Sequence, residues 1–231
     1  MRNSRVCHSR ASGNLIVWIP AFAGMTLLLF TASSFPAFAE SDLPHYGQAP
    51  DFTFTERSGK EVKLQDLKGQ VWIADFIFTR CQGMCPLLTG RMALLQEKLK
   101  DEKIKLVSFS VDPEYDTPKV LSEYASRFKA EEGKWLFLTG EKRMMWEMMS
   151  GGFHLGVEQA TPEDLQAGAE PIMHSNRFVL VDQEGSIRGY YDSSEPQKME
   201  QLVKDAIDLA GRGAVSAPKA EGGATPPLPS K

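Results

Sequence analysis

From residue 71 to 78 the chain reads Val-Trp-Ile-Ala-Asp-Phe-Ile-Phe, apolar at every position except Asp75. A strand with one solvent face alternates apolar and polar residues, whereas a strand that is apolar throughout must be covered on both faces. The run therefore predicts the central strand of a sheet. Thr79-Arg80 then leads into Cys81-Gln82-Gly83-Met84-Cys85-Pro86. Proline suits the first turn of a helix, where its missing N–H costs nothing. Leu87, Leu88, Met92, Leu95 and Leu99 supply an apolar stripe, which predicts a helix over residues 86–99. Two cysteines thus stand on a tight passage from buried strand to helix. Asp75, ionisable inside the run, needs a partner or a place near the sheet end.

The rest of the chain fits around that unit. Residues 52–56 and 61–64 alternate around Ser58-Gly59 and predict a hairpin. A second buried strand falls at 104–111. Asp116-Thr117-Pro118 predicts a helix start, capped by Asp116 or Thr117 with the proline just inside, and the helix continues over 119–128. Residues 135–138 predict a short strand, 141–149 a helix ended by Gly151-Gly152, and 153–157 a further strand segment. The acidic, turn-rich stretch 159–171 reads as a loop. A strand at 176–181 turns at Asp182-Gln183-Glu184-Gly185 into residues 186–190, and a helix over 196–209 closes the domain. Strands alternating with helices imply an α/β fold with a central mixed sheet flanked by helices. A close cysteine pair at the first strand-to-helix junction makes the arrangement thioredoxin-like.

The ends differ in character. Residues 1–39 carry Arg2, Arg5 and Arg10 and no acidic residue, the stretch 15–38 is largely apolar, and Ala37-Phe38-Ala39 offers the small residues a signal peptidase takes. This segment is expected to be a signal peptide or, being long enough to span a bilayer, a membrane anchor. Either places the domain outside the cytoplasm. Residues 40–49 read as a linker, 50–210 as the domain, and 211–231 as a disordered tail with few apolar anchors. The net charge is −4; taking the three early arginines from the 26 basic residues leaves 23 against 30 acidic ones, a balance of −7. A net-acidic domain without a basic stripe does not suit nucleic-acid binding.

Cys7 precedes the apolar stretch, so the exported part keeps Cys81 and Cys85. A disulfide across three intervening residues closes too small a loop to stabilise much, and a close pair suits redox exchange or metal binding better. A helix N-terminus favours a thiolate, and Arg80 adds positive charge. Two soft thiolates favour Cu(I), Zn(II) or an iron–sulfur centre, but structural zinc and iron–sulfur sites usually want four protein ligands. His174 is the best third donor, because the loop before the strand at 176–181 faces the cysteine turn in such a sheet. Two sulfurs and one imidazole fit trigonal Cu(I), and accept Cu(II) with an additional oxygen or water ligand. The same thiols can form a disulfide, so redox exchange stays open. His45 and His154 read as surface residues. Met84 reads as a solvent-facing turn residue, with a weak thioether ligand as the alternative. Met144, Met145, Met148 and Met149 fall at helical spacings beside Trp146 and read as a packing face rather than a second copper site.

Three stretches resemble the SCO/SenC family of copper-binding assembly proteins. They are Phe78-Thr79-Arg80-Cys81-Gln82-Gly83-Met84-Cys85-Pro86, Ser110-Val111-Asp112-Pro113-Glu114-Tyr115-Asp116-Thr117-Pro118, and His174-Ser175-Asn176-Arg177-Phe178-Val179-Leu180-Val181-Asp182. The resemblance implies a thioredoxin-like fold with an added N-terminal hairpin. It implies one copper per domain, Cu(I) or Cu(II), held by Cys81, Cys85 and His174. Asp112 takes a supporting or partner-facing role by the same resemblance; read alone, it is a turn residue before Pro113. The implied work is that of a metallochaperone delivering copper to the binuclear copper centre of cytochrome c oxidase. The alternative is a thiol–disulfide oxidoreductase that reduces the target's cysteines before loading. Implied partners are the oxidase copper-centre subunit or another copper protein, and other periplasmic copper carriers or thiol reductants. The implied place is the periplasm, free or tethered to the inner membrane. Gln82-Gly83-Met84 departs from relatives that place a proline and an acidic residue there, and Arg80 stands where an aromatic or histidine is common. Transfer by ligand exchange is expected to use a solvent-open site.

Overall fold

The computed structural model describes residues 43–213. The expectations for residues 1–39, for the first part of the linker and for the tail from residue 214 lie outside the described residues. In chain order the elements are β1 (Thr53–Glu56), β2 (Glu61–Lys63), α1 (Leu64–Leu67), β3 (Val71–Ile77), α2 (Met84–Lys98), β4 (Ile104–Ser110), α3 (Pro118–Arg127) and β5 (Trp135–Thr139). Then come α4 (Lys142–Glu147), a π-helical turn (Met148–Gly152), β6 (Val157–Gln159), α5 (Pro162–Gln166), β7 (Ile172–His174), β8 (Arg177–Val181), β9 (Ile187–Asp192) and α6 (Pro196–Gly213).

The apolar run became β3, buried at every residue. It lies inside a seven-stranded mixed sheet of order β2-β1-β5-β4-β3-β8-β9, with the expected N-terminal hairpin at one edge. β3 runs parallel to β4, from Val71 opposite Ile104 to Ile77 opposite Ser110, and antiparallel to β8, with Trp72 opposite Val181. The C-terminal ends of β3 and β4 and the N-terminal end of β8 therefore share one end of the sheet. That register brings the cysteine turn, the Asp112 loop and His174 together. Trp72, Phe76, Phe109 and Phe153 form the centre of the core, with Phe76 and Phe109 stacked at 5.4 Å. Fully burying each such ring contributes roughly 1.5–3 kcal/mol, beyond which paired aromatics add a little more.

Thr117, not Asp116, caps α3: its side chain accepts the Val120 N–H at 3.4 Å, and Pro118 follows it. Met145, Met148 and Met149 are buried while Met144 is exposed, so the methionine group is a packing face. The π-helical turn brings Gly152 against Pro50, where a Cβ would lie 2.3 Å from the ring.

Two stretches of backbone depart from expectation. Residues 153–157 are not a strand: Phe153 turns into the aromatic core, His154 adopts a left-handed φ of 53°, and β6 starts at Val157. The stretch 159–171 is not a plain loop. Thr161 and Asp164 form a capping box for α5, and β6 and β7 pair antiparallel in a ribbon separate from the main sheet. The described part of the linker is hydrogen-bonded to β9 and the turn before it. Tyr46 N–H donates to the Ile187 carbonyl, Ile187 N–H to the Gly47 carbonyl, and the Arg188 guanidinium to the carbonyls of Leu43 and Pro44. It thereby covers the edge of β9, which would otherwise expose unpaired backbone groups. Helix α6 also runs to Gly213, beyond the expected end at 209. Among the described residues, no helix is long and apolar enough to cross a membrane.

Candidate metal centre

The chain leaves β3 at Phe78 and turns tightly, with Cys81 N–H donating to the Phe78 carbonyl at 3.3 Å. A buried network fixes this exit. Asp116, fully buried, accepts the backbone N–H of Thr79 at 3.1 Å, its hydroxyl at 2.5 Å, and the Ser110 hydroxyl at 2.6 Å. Burial raises the Asp116 carboxyl above its ordinary value, and the hydroxyl and amide donors oppose that rise. Asp112 takes both Nε and Nη2 of Arg80, at 2.9 and 2.5 Å, and the Arg80 guanidinium lies 4.5 Å over the Tyr115 ring. The Asp112 carbonyl also accepts from Tyr115 and Asp116 N–H groups. Asp112 is thus a turn residue whose carboxylate engages the residue immediately before Cys81.

Both cysteines are free thiols, with Cys85 fully buried and Cys81 6% exposed. The site is therefore more enclosed than the solvent-open turn expected. Met84 is exposed, as expected. Cys85 N–H points at Cys81 Sγ at 3.4 Å. The pair is unequal. The Cys85 S–H brings the Cys81 thiol down to about 6, aided by the N–H groups of Cys85 and Gly83 and opposed by burial and Glu170. The same bond, then burial, pushes Cys85 up.

His174 closes the site from β7. Its Nε2 lies 3.2 Å from Cys85 Sγ, its ring meets Phe78 edge-on at 5.7 Å, and its Nδ1 lies 3.0 Å from the Ser175 carbonyl oxygen. A carbonyl only accepts, so Nδ1 carries the proton and the Nε2 lone pair faces Cys85. Burial lowers the His174 pKa, which keeps the ring neutral near pH 7. A metal-binding histidine is set up in the same way, with the far N–H donated to a carbonyl. The donors meet pairwise at hydrogen-bond distance; among the described residues, no three histidine, cysteine or acidic side chains are already spread as a metal cage. His45 and His154 are exposed and stand apart from this site.

Sequence reasoning missed two residues here. Asp116 was read only as a cap, because nothing local marks it as the acceptor for Thr79. Glu170, within the supposed loop, accepts the Gln82 N–H in the middle of the cysteine turn at 3.1 Å. Its distance of 88 positions from Gln82 leaves no local signal.

The family described as SCO1/SenC matches residues 41–209. A "SCO1 protein homolog" from Bacillus subtilis (strain 168) is 39% identical over 157 residues, covering 67% of this chain and 78% of the relative. A "Putative copper-binding protein" from Stutzerimonas stutzeri is 29% identical over 165 residues, covering 70% and 76%. Among solved structures, one described as "Identification of a disulfide switch in BsSco, a member of the Sco family of cytochrome c oxidase assembly proteins" superposes with a TM-score of 0.63 at 33% identity. It covers 77% of this chain and 99% of that one.

Proposed function

The chain belongs to the SCO1/SenC family, and from that premise we propose that it is a copper metallochaperone serving the binuclear copper centre of cytochrome c oxidase. One copper ion is its cargo, held by Cys81, Cys85 and His174, with Asp112 supporting the turn through Arg80. The observation that carries this reading is the position of the His174 ring between the Ser175 carbonyl and Cys85. With Nδ1–H spent on the Ser175 carbonyl, Nε2 presents its lone pair 3.2 Å from Cys85 Sγ. Two soft sulfurs and one neutral imidazole suit trigonal Cu(I). Support comes also from relatives, one named as copper-binding and one described as a cytochrome c oxidase assembly protein. Release proceeds by ligand exchange, with target thiols or imidazoles replacing the three donors in turn. The domain works in the periplasm, free or held at the inner membrane by residues 1–39. Its partners are the oxidase copper-centre subunit or another copper protein, and periplasmic carriers or thiol reductants upstream.

Metal analysis of the reduced protein tests the reading. One copper per chain is expected, lost in Cys81→Ser and Cys85→Ser, with His174→Ala greatly weakening Cu(II) binding. Unchanged Cu(II) affinity in His174→Ala removes the histidine from the site.

The inequality of the thiols favours a second reading as a thiol–disulfide reductase. The Cys81 thiolate attacks a target disulfide, and one target sulfur leaves as a thiolate. Cys85, losing its proton to His174 Nε2, then displaces the second target sulfur and forms the Cys81–Cys85 disulfide. The target gains two electrons and the cysteine pair loses two. Rapid reduction of the target's cysteines without copper, lost in Cys81→Ser and Cys85→Ser and slowed in His174→Ala, distinguishes this role from delivery.

A further inference from the structure

The segment just before the strand that carries His174 brings a second donor to the cysteine turn. Side chains two apart on an extended chain share a face. Ile172 and His174 therefore share one face of β7, with Ile172 buried, while Met173 is exposed; Glu170 precedes the strand by two residues. Glu170 Oε1 accepts the Gln82 N–H at 3.1 Å, and a Cβ placed on Gly83 would meet the same oxygen at 3.1 Å. The carboxylate thus lies directly over the two residues that follow Cys81. Oε2 has no hydrogen-bond partner among the described residues. Asp112, the other nearby acid, is engaged by the Arg80 fork.

We propose that Glu170 is the oxygen ligand that completes the site for Cu(II) and is idle when the ion is Cu(I). The inference rests on the reading that Cys81, Cys85 and His174 hold copper. Cu(I) is satisfied by two thiolates and an imidazole, whereas Cu(II) takes tetragonal sites that include nitrogen and oxygen donors. The carboxylate is already parked on the turn and has a spare oxygen. One site then holds either oxidation state, with the ribbon and the segment just before its second strand supplying the non-sulfur donors.

Glu170→Gln separates ligation from mere latching, since an amide oxygen still accepts the Gln82 N–H but is a poor copper donor. The full reduced chain and its variants are titrated with Cu(II), and anaerobically with Cu(I) against a competing chelator. Glu170→Gln is expected to weaken Cu(II) by about tenfold or more, leave Cu(I) within about twofold, and alter the Cu(II) electron paramagnetic resonance hyperfine pattern. A selective tenfold loss raises the bound Cu(II)/Cu(I) potential by about 59 mV. Glu170→Asp, which keeps a carboxylate, recovers part of the Cu(II) affinity. Wild-type Cu(II) affinity and spectrum in Glu170→Gln overturn the inference, as does equal weakening of both oxidation states. In those cases normal binding by wild type and loss in His174→Ala leave the parent reading standing. A wild-type chain that binds no copper overturns both.

Discussion

Asp75 sits in the middle of β3 with no exposed surface, and neither carboxylate oxygen has a hydrogen-bond partner. The Ser108 hydroxyl opposite it on β4 accepts instead from the Trp135 indole N–H at 2.9 Å, so it moderates the loss of water without replacing it. Burial consequently raises the carboxyl from its ordinary 3.8 to about 7. The unfolded chain ionises Asp75 near 3.8, while the folded chain holds the proton until about 7. Between those values the native state binds more protons than the unfolded state, so stability falls as pH rises. The contribution is fully present below 3.8 and gone above about 7. Each pH unit across that window costs about 1.4 kcal/mol, so the whole window costs about 4 kcal/mol. Asp75→Asn replaces the carboxyl with a group of similar shape that cannot ionise. Urea unfolding of the reduced wild type and variant at pH 4, 5, 6, 7 and 8 isolates this residue, because every other titration cancels in the difference. The advantage of the variant over wild type should grow by up to about 4 kcal/mol from pH 4 to pH 8, with most of the rise below pH 7. A difference that stays flat across that range refutes the burial argument.

Alkylation of Cys81 by iodoacetamide should show a midpoint near pH 6, with the thiolate reacting above it, and Cys85→Ala should move that midpoint up by removing the S–H donor. A midpoint near that of an ordinary thiol, about 8.5, argues against the paired arrangement. Arg80→Ala leaves the buried Asp112 carboxylate without its fork; because Arg80 is half exposed, the expected loss is about 1–2 kcal/mol in urea unfolding. A loss below about 0.5 kcal/mol shows that water replaces the guanidinium. Thr117→Ala removes a long cap bond from α3 and should cost about 0.5–1 kcal/mol in thermal or urea unfolding, whereas Asp116→Ala should cost more, because it orphans Thr79 and Ser110 donors.

What was legible in the sequence was whatever repeats along the chain. The run at 71–78, apolar except at Asp75, reads as an inner strand and stands as β3; of the stripe from Leu87 to Leu99, Leu88, Met92, Leu95 and Leu99 are buried while Leu87 is exposed, and helix α2 begins two residues early at Met84. The misreadings fall where local chemistry and packing disagree. Residues 153–157 are apolar enough for a strand, but Phe153 is claimed by Trp72, Phe76 and Phe109, which bends the chain into the core. Residues 159–171 are polar and turn-rich, yet Thr161 and Asp164 supply a complete cap for a short helix, and Ile172 anchors the ribbon against the core. Asp116 shows the same limit, since its acceptor role depends on Thr79, 37 positions away.

The same distinction separates the donors of the site. The sequence singles out Cys81 and Cys85 by their close spacing and His174 by its place in the loop before the strand at 176–181, and the structure brings these three side chains into contact. Glu170 answers to neither signal. It is one acid among several in a polar stretch, two residues before β7, and the pairing of that strand with β6 gives no local sign that it meets Gln82. That pairing also explains why the site is more enclosed than the cysteine turn alone implies. The turn is fixed to the sheet through Asp116 and Asp112, while His174 arrives on a ribbon outside the main sheet and Glu170 from the segment just before it. With Cys85 wholly buried and Cys81 6% exposed, an incoming ligand meets the Cys81 edge first, and reaches Cys85 only where the His174 side of the site gives way. On the proposed copper role, ligand exchange is expected to begin at the Cys81 edge and to reach Cys85 and His174 last.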